Sequence, residues 1–212
     1  GREIARSYPE LHRDVKDILL QFDITHAELR NNSIRSRYKT GRAGVAFAEF
    51  YDLALLRDLH GLLERLKPFS ALFKWYHKIW HTQSSAKTAP CTFSTYKPQL
   101  QFEVIKENDA LLLKTQIILN NTAYDITDFN RYQFLLSGGN EYFILSFKDF
   151  QTLEWLLQNK PAQYQHSATE LAQHILARLE EDYKVNRNGL FEQSMIEVLP
   201  VNRVMLSEIS GS

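Results

Sequence analysis

Apolar positions in the first 90 residues recur every three or four residues, which is the spacing of helices with one buried face. The clearest stripe covers residues 47–66 and stops before Pro68, because proline disfavours helical geometry in the preceding residue. Thr25 followed by Glu28 has the form of a helix-capping pair, so the pattern predicts that a new helix begins there. We therefore expect a helical N-terminal part.

Residues 69–81 are predicted to form an aromatic helix with a basic opposite face. Lys74, His77 and Lys78 lie on that face, and Tyr76 and Trp80 belong to the aromatic stripe. Rings beside bases can stack on nucleobases and contact phosphates, although the same stripe also fits an ordinary core helix with a solvated back. His77 and His81 would stand one helical turn apart, but no third metal ligand is evident nearby, so we predict no metal site.

From Tyr96 onward the apolar period changes from about 3.6 to 2, which predicts strands. Residues 99–105 and 111–119 alternate in this way, and Asn120-Asn121 suits a tight hairpin because asparagine tolerates positive φ. The segments that complete the prediction are a hairpin at Gly138-Gly139, helices at 147–159 and after Ser167, and strands at 195–199 and 204–209.

These patterns together predict an α+β fold, with an N-terminal helical part followed by an antiparallel β-meander with packed helices. Residues 82–95 are predicted to be a linker, which gives a helical region at 1–90 and an α+β region at 91–212. The chain begins with Gly1 and its last predicted strand runs to the C-terminus. Both features favour a fragment of a longer protein over a complete small one.

Basic and acidic residues are unevenly distributed along the chain, although its formal net charge is zero. Residues 29–48 and 65–102 contain bases and no acid. Such stretches attract phosphates and release counterions, which is the sequence-independent part of nucleic-acid binding. They also fit a solvated face whose charge is compensated elsewhere. The candidate nucleic-acid contacts are Arg35, Arg37, Lys39, Arg42, Lys74 and Lys78.

The chain lacks the motifs of the common catalytic and cofactor sites. No GxxxxGK[ST], GxGxxG, HExxH or CxxC is present, and the single cysteine, Cys91, excludes an internal disulfide. We therefore expect no catalytic residue, no metal and no cofactor. No segment has the roughly 20 apolar residues of a membrane span, and the start has no secretory hydrophobic region. We expect a cytoplasmic protein with no membrane partner.

Apolar segments of the second half carry a family resemblance. They are residues 96–102 (YKPQLQF), 111–113, 124–126, 128–132, 140–145, 149–156 and 198–209. With these segments, residues 96–212 resemble the accessory region that precedes the motor of bacterial Swi/Snf-type helicases, in which a P-x-L-x-F pattern opens a β-meander. The resemblance implies an ATP-dependent DNA translocase whose helicase motifs lie beyond Ser212. The implied partners are DNA and the downstream ATPase motor of the same chain.

Three hypotheses for the function remain open at this point. The first is a non-catalytic accessory module that contacts nucleic acid or regulates the motor. The second is a protein–protein interaction module without nucleic-acid binding, which would dock through residues 69–80. The third is a small enzyme with a dispersed site, for which His174, Asp128 and Arg131 are the candidates.

Overall fold

A computed structural model describes residues 13–37, 42–80 and 86–190 of the chain. Within these ranges the chain forms two compact units. One unit contains the described residues up to Gln99 together with Ile117–Trp155. The other contains Leu100–Gln116 together with the described residues from Leu156 onward.

Two long helices, α1 at Arg13–Arg37 and α2 at Arg42–Leu66, begin the described part of the chain. The buried side chains Val15 and Leu19 of α1 pack in one cluster with the buried Leu62 of α2. Because the start of α1 lies beside the end of α2, the helices form an antiparallel hairpin. Apolar side chains at helical spacing supply its buried seam.

The prediction that a new helix begins at Thr25 is wrong, because α1 runs through this position without a break. The Thr25 hydroxyl donates a hydrogen bond to the carbonyl oxygen of Gln21, one turn earlier, at 3.2 Å. A threonine inside a helix can satisfy its hydroxyl in this way and needs no capping role.

The prediction of an aromatic helix over residues 69–81 is also wrong. A short 3-10 helix spans Lys67–Leu72, and strand β1 then covers Trp75–Trp80. β1 pairs antiparallel with β2, Ala86–Phe93, which also replaces most of the predicted linker. The aromatic and β-branched side chains of this segment favour a strand once a neighbouring strand is available, and pairing supplies that neighbour.

The first sheet has five strands in the order β1-β2-β8-β7-β6. Its later strands are β6 at Asn130–Tyr132, β7 at Leu135–Gly138 and β8 at Glu141–Ile144. β6, β7 and β8 pair antiparallel, as the predicted meander requires, whereas β2 pairs parallel with β8. Gly139 has φ of +65° in the β7–β8 hairpin, a conformation that glycine adopts without strain.

The second sheet has the strand order β5-β4-β3-β9. Two-residue loops close the β3–β4 and β4–β5 hairpins, and all four loop residues have positive φ, as the primed turns require. The strands at 99–105 and 111–119 and the hairpin at Asn120-Asn121 are thereby confirmed. The strand bounds are β3 Gln99–Glu107, β4 Ala110–Leu119, β5 Thr122–Asp125 and β9 Lys184–Asn186.

The predicted helix at 147–159 is confirmed as α3, Phe147–Asn159. The predicted cap at Ser167 is confirmed as well, because its Oγ accepts a hydrogen bond from the Glu170 backbone N–H. The helix behind it is interrupted by one π-helical segment. Its parts are α4 Ala168–Leu171, the π-helix Ala172–Leu176 and α5 Ala177–Glu180.

The predicted fold class, α+β with helices first and an antiparallel-rich sheet part after them, is confirmed. The strands predicted at 195–199 and 204–209 lie outside the described residues. The division of the chain into regions 1–90 and 91–212 stays a prediction.

An adjacent side of α2 packs on the first sheet. Leu56, Leu59 and Leu63 of α2 contact a buried cluster formed by Phe134, Ile144 and Phe150. A polar contact lies beside this cluster, where His60 Nε2 donates to the carbonyl oxygen of the buried Leu145 at 2.8 Å. His60 therefore ties α2 to the end of β8 at a point where water has little access.

Replacement of His60 with leucine leaves the Leu145 carbonyl without its donor. Because an unsatisfied buried carbonyl costs about 1–3 kcal/mol, we expect His60→Leu to lower the free energy of unfolding by that amount in urea titrations. His60→Gln keeps a donor of similar reach and should lose less. Equal losses in the two variants would show that the hydrogen bond contributes nothing to stability.

Candidate nucleic-acid interface

Four of the six candidate contacts lie, in sequence, at the basic end of the helical hairpin, which we define as the last turn of α1, the first turn of α2 and the chain between them. α1 ends at Arg37 and α2 begins at Arg42, and the chain between them includes Lys39. Arg35 is exposed in the last turn of α1. Lys39 and the side chains of Arg37 and Arg42 lie outside the described part of the structure.

The helix dipoles do not explain all the charges at the basic end. Arg35 and Arg37 are favoured where they stand, because the C-terminus of a helix carries partial negative charge. Arg42 opens α2, where partial positive charge disfavours a base, and the first turn of α2 contains no acid. An added anion would relieve this excess of positive charge.

Lys74 and Lys78 lie far from the basic end. Lys74 is exposed directly before β1, and its neighbour Trp75 packs on the cluster that contains Leu62 and Leu66. Twenty or more residues of α2 separate this cluster from Arg42, which corresponds to about 30–36 Å along the helix axis. The structure therefore does not bring the six candidates into one compact site. A contact that used both groups would follow an extended ligand.

Strands β1 and β2 form a ribbon in which Trp75 pairs with Cys91 and Trp80 pairs with Ala86. β2 pairs with β8 only at Thr92 and Phe93, so most of this ribbon extends past the rest of the sheet as the structure describes it. Lys78 stands in β1 opposite Thr88, and its side chain lies outside the described part. A two-stranded ribbon has the width that enters the major groove of DNA.

The two faces of the ribbon differ in exposure. Tyr76, which is 58% exposed, and its register partner Pro90 lie on the open face. Trp75 and Phe93 lie on the other face and make an edge-to-face contact with centroids 5.0 Å apart. The ribbon thus buries one set of aromatic side chains and leaves Tyr76 available beside Lys74.

Cys91 lines an open groove of about 630 Å³ that also borders Phe73, Trp75 and Lys74. Burial raises the pKa of the Cys91 thiol above its ordinary value. The thiol is therefore protonated near neutral pH and is a poor nucleophile.

Two of the three residues considered for an enzyme make contacts within the fold. Arg131 donates to Glu154 at 2.8 Å and so joins β6 to α3. His174 stacks on Tyr164 with ring centroids 5.2 Å apart, and it lies in a different compact unit from Asp128 and Arg131. Nothing in the described geometry joins these residues in one constellation.

Within the described ranges, no three side chains of the His, Cys, Asp or Glu type lie close enough to hold a metal ion. The predicted one-turn spacing of His77 and His81 required a helix, and His77 is in strand β1. His81 lies outside the described residues. None of the helices that the structure describes is long and apolar enough to cross a membrane.

A polar pair inside the hairpin was not evident from the sequence. His26 Nδ1 of α1 lies 3.6 Å from Asp58 Oδ2 of α2, and neither atom has a hydrogen-bond partner. Burial raises the pKa of Asp58 above its ordinary value of 3.8, and the charges of His26 and Arg65 offset part of that rise. The only sequence signal was the helical spacing of His26 from apolar Phe22, whose ring it contacts.

Comparisons with protein-family models, with curated proteins and with solved structures found no match to this chain. The geometry of its own residues therefore carries the functional argument.

The Asp58 carboxyl gives a pH-dependent contribution to stability. Because the pKa of Asp58 is raised in the folded chain, the folded state binds this proton more tightly than the unfolded state does. The stabilisation is complete below pH 3.8 and is lost as the pH rises through the folded pKa. We therefore expect Asp58→Asn to gain free energy of unfolding relative to the wild type as the pH is raised from acid to neutral.

Thermal or urea unfolding across that pH range measures the difference. Glu49→Gln, at an exposed position of α2, is the control and should show little change. A constant difference between Asp58→Asn and the wild type at all pH values would contradict the argument.

Proposed function

We propose that this chain is a non-catalytic accessory module of a Swi/Snf-type ATP-dependent DNA translocase, and that it contacts nucleic acid through the basic end of the hairpin. The observation that carries the proposal is that α1 ends and α2 begins inside the acid-free stretch of residues 29–48. This supports a shared contact, because the bases of this stretch are neighbours in sequence at the turn of the hairpin. The resemblance of residues 96–212 to the region that precedes such motors gives the context.

The proposed contact is to the phosphate backbone. Arg35 is exposed on the last turn of α1, and an arginine guanidinium can contact a phosphate with two parallel N–H donors. No pocket shaped for a single base is evident among the described residues of the basic end. The expected binding is therefore independent of sequence and strongly dependent on salt.

The ribbon extends the proposed contact. About 30–36 Å separates Arg42 from the end of α2 that lies beside Trp75, which is close to one helical turn of duplex DNA. Lys74 and the exposed ring of Tyr76 are placed at that second position. We propose that a duplex long enough to reach both positions binds more tightly than a short one.

The cellular compartment follows from the proposed function. A module of a bacterial DNA translocase works beside the chromosome, so we propose a cytoplasmic location. In the parent protein the downstream ATPase motor is the proposed partner within the same chain, and this module supplies no catalytic residue.

A protein–protein interaction module is the second candidate function. It is favoured by large apolar side chains that stay exposed on the hairpin. The predicted docking helix at 69–80 does not exist, so an interaction surface would instead use the hairpin or the groove beside Tyr76. The four most relevant exposed residues are Ile24 (50%), Ile34 (43%), Phe50 (64%) and Leu53 (39%).

We expect the Arg35→Ala/Arg37→Ala/Lys39→Ala variant to bind DNA more weakly than the wild type. Each lost phosphate contact should flatten the slope of log affinity against log salt by about 0.9 for duplex DNA and about 0.7 for single strands. Fluorescence anisotropy with both kinds of DNA across a salt series measures this slope.

The matched control is Lys106→Ala/Lys114→Ala/Lys184→Ala, which removes the same charge from strands β3, β4 and β9. The control should keep the wild-type melting temperature, because Lys106 and Lys184 are exposed and the Lys114 side chain is 43% exposed. Circular dichroism melting checks that both triple variants are folded. Equal losses of DNA affinity in the two triple variants would show that the effect comes from net charge and not from the basic end. Absence of binding by the wild type even at low salt would favour the interaction module.

The Lys74→Ala/Lys78→Ala variant tests the ribbon. At about 3.4 Å per base pair, a duplex must exceed roughly 9 base pairs to span 30 Å, so the variant should weaken binding only to longer duplexes. Lys106→Ala/Lys184→Ala is its charge-matched control. An equal loss on short and long duplexes would show that the ribbon and the basic end do not contact the same DNA.

A further inference from the structure

Asn188 is the only asparagine of the chain that is followed by glycine. Asn188 and Gly189 are both exposed, and both have positive φ, at 47° and 70°. The Leu190 N–H donates to the carbonyl oxygen of Arg187 at 3.0 Å and closes a tight turn directly after β9. The fold therefore holds this pair in an open turn that water can reach.

An asparagine side chain can react with the backbone of the residue that follows it. The backbone nitrogen of that residue attacks the carboxamide carbon Cγ, because the two atoms can close an unstrained cyclic imide. A following glycine allows this attack best, since it has no side chain to hinder the approach and its backbone is the most adaptable. The hydrogen bond of the turn uses the N–H of Leu190 and not that of Gly189.

Two other turns of the second sheet provide a comparison within the same molecule. Asn108 and Asn120 are the first residues of the β3–β4 and β4–β5 turns, and each has φ of 48°. They are followed by Asp109 and Asn121, whose side chains hinder an attacking nitrogen. All three turns thus hold an exposed asparagine at nearly the same φ, and they differ in the residue that follows. We therefore expect Asn188 to react first.

The Asn188 side chain also attaches β9 to the second sheet. β9 pairs parallel with β3, and the last pair joins Glu103 to Asn186. Beyond this pair, Nδ2 of Asn188 donates to the carbonyl oxygen of Val104 and to Oε1 of Glu103, both at 3.0 Å. The other carboxylate oxygen of Glu103 accepts from Nε2 of Gln116 at 3.1 Å. The carboxamide therefore extends the attachment of a short strand past its last backbone pair.

We propose that Asn188 is a site of spontaneous deamidation, and that its conversion weakens the attachment of β9 to β3. Hydroxide removes the proton of the Gly189 N–H, and the nitrogen bonds to Cγ of Asn188. The Nδ2 group takes a proton from water and leaves as ammonia. A water molecule then opens the cyclic imide at one of its two carbonyl carbons. The products are aspartate and isoaspartate, and no atom is oxidised or reduced.

Either product weakens the attachment of β9. A carboxylate has no N–H, so the carbonyl of Val104 and the carboxylate of Glu103 both lose their donor. Two carboxylates then stand side by side where an amide was bonded to a carboxylate, and like charges repel. Isoaspartate also adds one carbon to the main chain of the turn, which shifts the residues beside it relative to β3. β9 should therefore separate from β3 more readily.

Peptide mapping of the folded 212-residue chain after incubation at mildly alkaline pH tests the modification site. We expect conversion at Asn188 before Asn108 and Asn120, with isoaspartate among the products. The rate should rise with pH, because the attacking nitrogen must lose its proton. Equal conversion in the three turns, including none in any of them, overturns the proposal.

Gly189→Asn is the matched control for the chemistry. It recreates the Asn120–Asn121 pair at this turn, and asparagine tolerates the positive φ. A Cβ added at Gly189 meets no atom within 4 Å, so the turn can accept the new side chain. We expect this variant to keep Asn188 intact. Conversion of Asn188 at the wild-type rate in this variant contradicts the proposed attack by the Gly189 nitrogen.

Hydrogen exchange measures the weakened attachment of β9. We expect the amide hydrogens of Lys184–Asn186 to exchange roughly tenfold faster in Asn188→Asp than in the wild type. Asn120→Asp is the control, because it makes the same change of charge in the β4–β5 turn and should leave β9 unchanged. Circular dichroism melting confirms that each variant is folded. Equal exchange at β9 in Asn188→Asp and in the wild type overturns the proposed effect on β9.

Discussion

The fold depends on the burial of two adjacent sides of α2, whose directions differ by about 90° around the helix axis. One side carries Leu62 and Leu66 against α1, and the other carries Leu56 and Leu63 against the buried core of the first sheet. Leu59 contacts both clusters and so lies between them. A helix with two apolar sides cannot remain on the surface without a large loss of hydrophobic burial. The hairpin and the sheet are therefore held together through one helix.

The spacing of apolar residues was sufficient to predict secondary structure where only one kind of element fits the pattern. The strands that contain Phe102 and Ile117, both fully buried, alternate so regularly that no helix competes with them. In residues 69–80 the apolar positions fit a period of 3.6 and a period of 2 equally well. The strand forms there because β2, which begins six residues after β1 ends, provides a partner. β2 itself contains few large apolar residues, so its sequence did not mark it as a strand. The pattern of β1 alone could not show that a partner strand follows.

For the candidate interface, too, the sequence could not show which residues lie close together in space. The acid-free stretches of the sequence suggested that the bases act in groups, and this stays a prediction. The sequence could not show that Arg42 and Lys74 are separated by most of the length of α2, because that distance depends on where the helix begins and ends. It also could not reveal the pair of His26 and Asp58, since two polar residues on different helices carry no mark of their proximity until the hairpin forms.

The proposed nucleic-acid contact and the apolar cluster of the hairpin use different parts of α1. Val15 and Leu19, which pack in one cluster with Leu62, lie near the start of the helix, whereas Arg35 is exposed in its last turn. Sixteen residues separate Leu19 from Arg35, which corresponds to about 24 Å along the helix axis. A substitution at Arg35 can therefore change DNA affinity without disturbing that cluster, so a loss of binding and a loss of stability are separable observations.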